Sequence, residues 1–219
     1  MTDIAPLIDK GAVYAAARGR IYALVGAASV DAGRVVPATP EWTVHDVIAH
    51  LSGIAADAVA GNMEGATSDA WTAAQVTRNR HRSIADMVAE WQVNGPMLES
   101  FLSMPGAGRL STPAVIDVHT HEADLRHALG LPVAVPKPVL DWAMDELRTG
   151  FYAGVAAAGL PDVVLDTDPL TWFRARLGRR TADEVRGLRW SDAFASNPDA
   201  YLDVFFVFGR AEYPLGENL

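Results

Sequence analysis

Residues 115–130 combine the periodicity of a buried helix with side chains that a hydrophobic core does not need. Gly130 follows the last apolar residue and Pro132 comes two positions later, which is a usual helix stop. Asp117 and His121 are four residues apart, so a helix places them on one face with Cβ atoms roughly 5–6 Å apart. Apolar neighbours indicate that this face points inward. A carboxylate and an imidazole stacked on a buried face suit a divalent metal ion.

The composition suits one large domain, or a main domain with a small appendage. Of the 219 residues, 50% are hydrophobic and 21% are charged, which allows a sizeable core and does not indicate disorder. The net charge of −9 argues against nucleic acid as the main partner. The chain has no cysteine, so disulfides and cysteine zinc sites are excluded. Any thiol chemistry would therefore need a thiol supplied from outside the chain.

Neither a targeting segment nor a membrane span is expected. The first six residues lack the basic region and long apolar run of a signal peptide. No uninterrupted apolar stretch reaches the roughly 20 residues that cross a bilayer. We therefore expect a soluble, cytoplasmic protein with no membrane partner.

Helical periodicity predicts an antiparallel bundle of four main helices in the first part of the chain. The first of these helices is predicted at about 3–29, and the second runs from the Thr43 cap to about residue 61. The third is predicted at 83–104 and the fourth at 115–130. A loop is expected at 31–40 and a short additional helix at 70–80. Thr43 and Asp46 resemble a capping box. Gly95-Pro96 is expected to kink or split the third helix, and Pro113 fits the first turn of the fourth.

The composition changes after residue 130. A proline-rich connector at 131–138 precedes an alanine-rich helix at about 139–158, a short strand at 161–166, a basic cluster and a last apolar helix at 201–208. We therefore predict a mainly α protein with a small C-terminal α/β appendage. The predicted domains are the bundle over 1–132, the connector and additional helix over 133–160, and a small α/β domain over 161–219.

The chain contains three pairs of an acidic residue and a histidine four positions later, namely Glu41/His45, Asp46/His50 and Asp117/His121. The first pair straddles a predicted helix start, so it cannot stack. In the second pair, Asp46 is better explained as the capping-box partner of Thr43 than as a metal ligand. Only the last pair lies deep in a helix among apolar neighbours.

A catalytic zinc site needs a third protein ligand. His50 shares the inward face of the second helix, so a bundle could bring it to Asp117 and His121. The alternative is that the two histidines are core residues satisfied by hydrogen bonds, and the residue types leave both interpretations open. Asp124 could orient a ligand imidazole or lie on the polar surface. The other histidines outside these pairs are expected at the surface, namely His81, His119 and His127.

Residues 42–51 (WTVHDVIAHL) resemble the second-helix signature of the mycothiol-dependent maleylpyruvate isomerase family, part of the DinB/YfiT-like bundle superfamily. The helix that carries Asp117 and His121 resembles the second metal-binding segment of that family, and residues 177–181 and 208–210 resemble its tail. The resemblance implies a DinB-like four-helix bundle with metal ligands His50, Asp117 and His121. The family usually has glutamate at the position of Asp117, and the shorter aspartate would hold the metal closer to its helix or more weakly.

The resemblance also implies an activity. It points to a metal-dependent enzyme that uses an external low-molecular-weight thiol, such as mycothiol, as an isomerase or S-transferase on a small electrophilic or carboxylate-bearing substrate. Zinc is the expected metal, although nickel and iron suit the same donors. Arg210 is the candidate for binding the substrate carboxylate, with Arg179 and Arg180 behind it. The alternative for all three arginines is a solvated basic surface.

Two other functions stay open at this point. One is a hydrolase in which zinc-bound water attacks an amide or ester. The other is a metal-binding or regulatory bundle without catalysis. A catalytic site keeps one metal position open, whereas a structural site is closed by a fourth protein ligand.

Overall fold

The computed structural model describes residues 8–26, 30–105 and 107–217. The described residues divide into two compact units, one formed by Asp9–Pro132 and the other by residues 133–217 together with Ile8. The finer division of the second unit into a connector and a terminal domain stays a prediction. Within the described ranges, none of the helices has both the length and the apolar character that a bilayer crossing needs.

The first unit is a helical bundle that contains one small hairpin. Its elements are α1 (Lys10–Val25), β1 (Val35–Val36), β2 (Thr39–Thr43), α2 (Val44–Ala60), α3 (Asp69–Asn79), α4 (Ile84–Leu102) and α5 (Gly108–Ala128). Helices α1 and α2 each pack against both α4 and α5, so the four long helices surround one core, and the shorter α3 packs on α2. This arrangement confirms the predicted four-helix bundle.

Local sequence signals determine where several of these helices begin. Asp9 accepts a hydrogen bond from the Ala12 backbone, so α1 begins at Lys10 and not at the predicted residue 3. The parts of that prediction at 3–7 and 27–29 lie outside the described residues. The capping box is confirmed, because Thr43 Oγ1 accepts from the Asp46 backbone while Asp46 Oδ2 accepts from the Thr43 backbone.

The structure differs from the sequence prediction at one loop and two prolines. The predicted loop at 31–40 contains β1 and the start of β2, which pair as an antiparallel hairpin. Helix α4 continues across Gly95 and Pro96 without splitting, and packing against α1 and α2 supports it on two sides. Pro113 lies inside α5 because that helix begins at Gly108, before the predicted start.

The second unit is built on helices with one short sheet. Its elements are α6 (Lys137–Ala157), β3 (Leu165–Asp166), α7 (Pro169–Arg176), α8 (Ala182–Arg186), β4 (Arg189–Trp190), a 3₁₀ turn (Asp192–Ser196) and α9 (Pro198–Phe205). Strands β3 and β4 pair antiparallel. The core is a cluster of aromatic rings in mutual contact, from Phe151, Trp172, Trp190, Phe194 and Phe205. These elements confirm a small α/β appendage.

The basic cluster of the tail is largely buried in this unit. Arg174, Arg176 and Arg179 are 0%, 6% and 7% exposed, so the alternative of a solvated basic surface is wrong for Arg179. Arg176 lies over the rings of Phe151 and Phe205 and donates to the backbone carbonyl of Val204 at 2.7 Å. Burial lowers the pKa of Arg176 to about 10. Cation–π contacts and backbone acceptors therefore stabilise this charge inside the unit.

Candidate metal centre

Two helices of the bundle bring the three predicted ligands together. His50 lies on α2, and Asp117 and His121 lie one turn apart on α5. Asp117 Oδ2 is 3.3 Å from Nε2 of His50, and Asp117 Oδ1 is 3.5 Å from Nε2 of His121. The two imidazole rings meet edge to face with their centroids 5.3 Å apart. The convergence expected from the sequence is therefore present in the fold.

The spacing of these donor atoms fits a single metal ion. One ligand atom from each residue can be chosen so that all three lie within 4.8 Å of one another. Donors at about 2.0–2.1 Å from a tetrahedral zinc ion are roughly 3.3–3.4 Å apart, close to both contacts of the carboxylate. Aspartate therefore reaches both imidazoles despite being one methylene shorter than glutamate. Two nitrogens and one oxygen are also the donor types that zinc accepts.

The site is enclosed on the histidine side. His50 and His121 are 5% and 6% exposed. The side chain of Asp117 is 32% exposed. Trp42, near the end of β2, stacks on the imidazole of His121 with ring centroids 5.8 Å apart and lies tilted against that of His50 with centroids 5.3 Å apart. The hairpin that the sequence did not predict therefore supplies an aromatic cover for the two histidines.

Each imidazole presents Nε2 to Asp117 and Nδ1 to another residue. Gln75 on α3 places Oε1 2.8 Å from Nδ1 of His50. Asp124, which is fully buried, places Oδ2 3.2 Å from Nδ1 of His121, in the position suggested for a residue that orients a ligand. Burial lowers the pKa of His50, but the charge of Asp117 and hydrogen bonds with Asp117 and Gln75 outweigh it, so the pKa is raised overall.

The remaining histidines take no part in this group. His45 contacts the backbone carbonyl of Arg82 through Nε2 at 2.8 Å, and His81 is exposed as expected. The expectation for His119 is wrong, because it is 1% exposed and uses Nδ1 to contact the Val115 carbonyl of its own helix. Burial lowers the pKa of His119. His127 is half-buried. The difference arises because α5 packs against both α1 and α2 and so buries more than one face.

The candidate arginines all lie in the second unit. Arg210 is exposed and lines an open groove of about 340 Å³ together with Thr181 and Asp183. Arg180 donates to Glu217 at 2.6 Å, and Arg179 donates to the backbone carbonyl of Leu177.

Sequence reasoning missed Trp42 and Gln75, and also Asp57 on α2, whose Oδ2 accepts a hydrogen bond from Nε2 of Gln75 at 2.8 Å. Gln75 and Asp57 are 0% and 3% exposed, but no local pattern distinguishes them from polar surface residues of amphipathic helices. Trp42 lies in the segment that resembles the family signature and directly precedes the Thr43 cap, so its place at the start of α2 could be predicted from the sequence. The sequence did not reveal that Trp42, on β2, contacts His121 on α5.

Comparison with known proteins places these residues in a family. The model of the mycothiol maleylpyruvate isomerase N-terminal domain matches residues 14–129, which is more than half of the chain and includes His50, Asp117 and His121. No curated protein and no solved structure matches the chain significantly. The family is a mycothiol-related, metal-binding one, within the DinB/YfiT-like superfamily. This chain, with its helical bundle and its His/Asp/His group, therefore belongs to the mycothiol maleylpyruvate isomerase N-terminal domain family.

Proposed function

We propose that this protein is a metal-dependent enzyme that uses mycothiol as an external thiol, either to isomerise a small electrophilic or carboxylate-bearing substrate or to join the thiol to it as an S-transferase. The observation that carries the proposal is the convergence of two imidazoles and one carboxylate within 4.8 Å. Membership in a family named for mycothiol and maleylpyruvate isomerase supports the choice of thiol. The absence of cysteine is consistent with a thiol that comes from outside the chain.

The donor set favours a catalytic site over a purely structural one. The described residues contribute three candidate ligands, which is the number in catalytic zinc sites that keep a position for water or substrate. Zinc is the metal we propose, with nickel and iron as alternatives for the same donors. When bound, such an ion lowers the pKa of a coordinated thiol and holds it as thiolate near neutral pH.

The chain's own residues have separate roles in this proposal. His50, Asp117 and His121 hold the ion. Trp42 covers the imidazole faces and excludes water from that side, while the partly exposed carboxylate of Asp117 marks the side from which thiol and substrate enter. A small-molecule substrate and a thiol are the proposed partners, and the cytoplasmic location expected from the sequence stays a prediction.

Arg210 is proposed to bind a carboxylate of the substrate. It is exposed in its groove, whereas Arg180 is paired with Glu217 and Arg179 is buried. An arginine can bind a carboxylate through two parallel hydrogen bonds, which fixes the orientation of the substrate as well as adding affinity.

Cobalt substitution tests the use of a thiol. We expect the visible spectrum of the cobalt-loaded protein to change when mycothiol is added, and a sulfur-to-cobalt charge-transfer band to appear. A spectrum that mycothiol leaves unchanged would contradict the proposal. Maleylpyruvate is a suitable first substrate probe, because the family name supplies it. Isomerisation is expected only with both metal and thiol present, whereas amide or ester hydrolysis without any thiol would favour a hydrolase.

A further inference from the structure

The second unit contains a strap, residues 206–217, which follows α9 and lies outside its helices and strands. The first part of the strap runs beside the residues that end α7. The backbone N–H of Val207 donates to the Arg176 carbonyl at 3.0 Å, and that of Ala211 donates to the Arg180 carbonyl at 3.2 Å. Segments held by few backbone bonds open more easily than packed helices, so a docked strap needs further anchors.

Gly178 allows the strap to approach the end of α7 closely. Its φ of 84° is a left-handed conformation that favours glycine. A Cβ atom at this position would lie 2.8 Å from the carbonyl oxygen of Gly209 on the strap. The backbone of the strap therefore passes directly against the end of α7, at the residue before Arg210.

Two arginines bind the carboxylate of Glu217, near the other end of the strap. Nε of Arg174 donates to Oε2 at 3.2 Å and Nη2 of Arg174 donates to Oε1, while Nη1 of Arg180 donates to Oε2 at 2.6 Å. The side chains of Arg174 and Glu217 are both 0% exposed. A bidentate arginine–carboxylate contact is among the stronger hydrogen-bonded pairs, and separating a buried pair is strongly unfavourable. This contact is therefore the main anchor of the described strap.

Arg180 connects this anchor to the groove that contains Arg210. The side chain of Arg180 binds Glu217, while its backbone carbonyl accepts from Ala211, the residue that follows Arg210. Arg210 lines the groove together with Thr181, the residue that follows Arg180. The segment that carries Arg210 is thus fastened to the same short stretch of chain that forms the opposite side of the groove.

We propose that Glu217 is a positioning residue, which latches the strap to Arg174 and Arg180 and so holds Arg210 in its groove. The role of Arg210 rests on the proposed function, whereas the docking of the strap is a property of the protein without thiol or substrate. An opened strap would carry Arg210 away from Thr181. Binding of a substrate carboxylate would then have to order the strap first, which weakens affinity.

Amide hydrogen exchange, measured by NMR on the full chain, tests the latch. In Glu217→Ala, the amides of Val207 and Ala211 are expected to exchange about 10–100-fold faster than in the wild type, because the strap opens more often. Asp162→Ala removes an exposed carboxylate of the same unit and should leave both exchange rates unchanged. Arg180→Gln removes one side of the contact and should accelerate the same amides less, which keeps the test available if the first variant does not fold. Unchanged exchange in these variants would overturn the proposal.

Added formate separates the latch from simple charge compensation. In Glu217→Ala, formate can take the place of the missing carboxylate between Arg174 and Arg180, so it should raise the melting temperature above that in the same concentration of chloride. Formate has no covalent connection to the strap, so the amides of Val207 and Ala211 should still exchange fast. Recovery of both stability and slow exchange would show that Glu217 acts only through its charge, and would overturn the latch.

Kinetics test whether the latch acts through Arg210. Glu217→Ala should lower kcat/KM for maleylpyruvate in the wild-type background but have little further effect in Arg210→Ala, because the residue that it positions is already removed. Additive losses in the double variant would overturn the positioning role. A protein without isomerase activity whose strap still depends on Glu217 would support the latch and contradict the proposed function.

Discussion

Asp117 on α5 places Oδ2 3.3 Å from Nε2 of His50 on α2, so a carboxylate and an imidazole from two different helices meet inside the bundle. The same carboxylate contacts His121 one turn further along α5. Bundle packing alone therefore assembles the donor set, and the following predictions test its parts.

Replacing either histidine is expected to remove the metal. His50→Ala and His121→Ala each leave two donors, which are too few to hold an ion in competition with water and buffer. Metal content per chain, measured by mass spectrometry after dialysis, should fall from about one equivalent to a trace in both variants. His81→Ala, at an exposed position, serves as the control and should retain the metal. Equal metal content in all of these proteins would show that the ion binds elsewhere.

Trp42 should report metal binding by fluorescence. Its ring lies 5.3 Å and 5.8 Å from those of His50 and His121, so a bound cobalt or nickel ion would quench it strongly. We expect metal titration to quench part of the tryptophan emission of the wild-type protein. Trp42→Phe should bind metal with little quenching, whereas the control Trp71→Phe should quench like the wild type. Undiminished quenching in Trp42→Phe would contradict the position of the indole.

Two glycine-to-alanine substitutions are expected to change stability in opposite directions. Both positions are in helix interiors, where alanine is favoured over glycine by about 1 kcal/mol. At Gly19 on α1 an added Cβ would meet nothing within 4 Å beyond the local backbone of its own helix, so Gly19→Ala should stabilise the protein. At Gly53 the new Cβ would meet Gln75 at 2.8 Å, and overpacking of about 1–3 kcal/mol should exceed the gain. Thermal denaturation compares the two, and a stabilised Gly53→Ala would contradict the close packing of α3.

Glu217 should make the second unit sensitive to acid. Burial raises the pKa of this carboxyl, but hydrogen bonds and charge from Arg174 and Arg180 outweigh it and leave the pKa lowered in the folded state. A lowered folded pKa means that the contribution to stability is complete above the unfolded pKa of about 4.3 and is lost as the pH falls through the folded value. Glu217→Gln should therefore destabilise the protein near neutral pH by about 3–5 kcal/mol, because it leaves the buried charge of Arg174 without its partner.

Calorimetry across the acid range measures this effect. The difference in melting temperature between the wild type and Glu217→Gln should shrink as the pH approaches the folded pKa, because protonation then removes the same charge from the wild type. A difference that does not depend on pH would contradict the role of the ion pair.

Arg210→Ala should impair the use of a substrate that bears a carboxylate. Losing a hydrogen-bonded pair of charged groups weakens transition-state binding by about 1.5–3 kcal/mol, which lowers kcat/KM roughly tenfold or more. Metal content and the effect of mycothiol on the cobalt spectrum should be unchanged. Arg189→Ala, another exposed arginine of the same unit, is the control and should leave kcat/KM unchanged. Equal kinetics for the two variants would remove Arg210 from the proposal.

The local features of the chain were predictable because short-range chemistry controls them. The capping box of Thr43 and Asp46 and the inward face that carries His50 follow from residue types and helical spacing. The same spacing places Asp117 and His121 one turn apart. The inward face of the second helix made His50 the candidate third ligand, and the family resemblance supported that choice.

Features that depend on contacts between distant elements were not predictable. His119 is buried because α5 packs on two helices, which the periodicity of α5 alone does not reveal. Gln75 looks like an ordinary helix residue until α3 is placed on α2. The buried Arg176 looks like part of a basic surface because its aromatic partners come from three separate helices.

The central claim is that His50, Asp117 and His121 bind one divalent ion, and anomalous diffraction tests it most directly. Crystals grown with zinc should give an anomalous peak at the zinc absorption edge, about 2.0–2.2 Å from Nε2 of both histidines and from a carboxylate oxygen of Asp117. No peak at this position, or zinc bound elsewhere with the two imidazoles turned away from Asp117, would contradict the account.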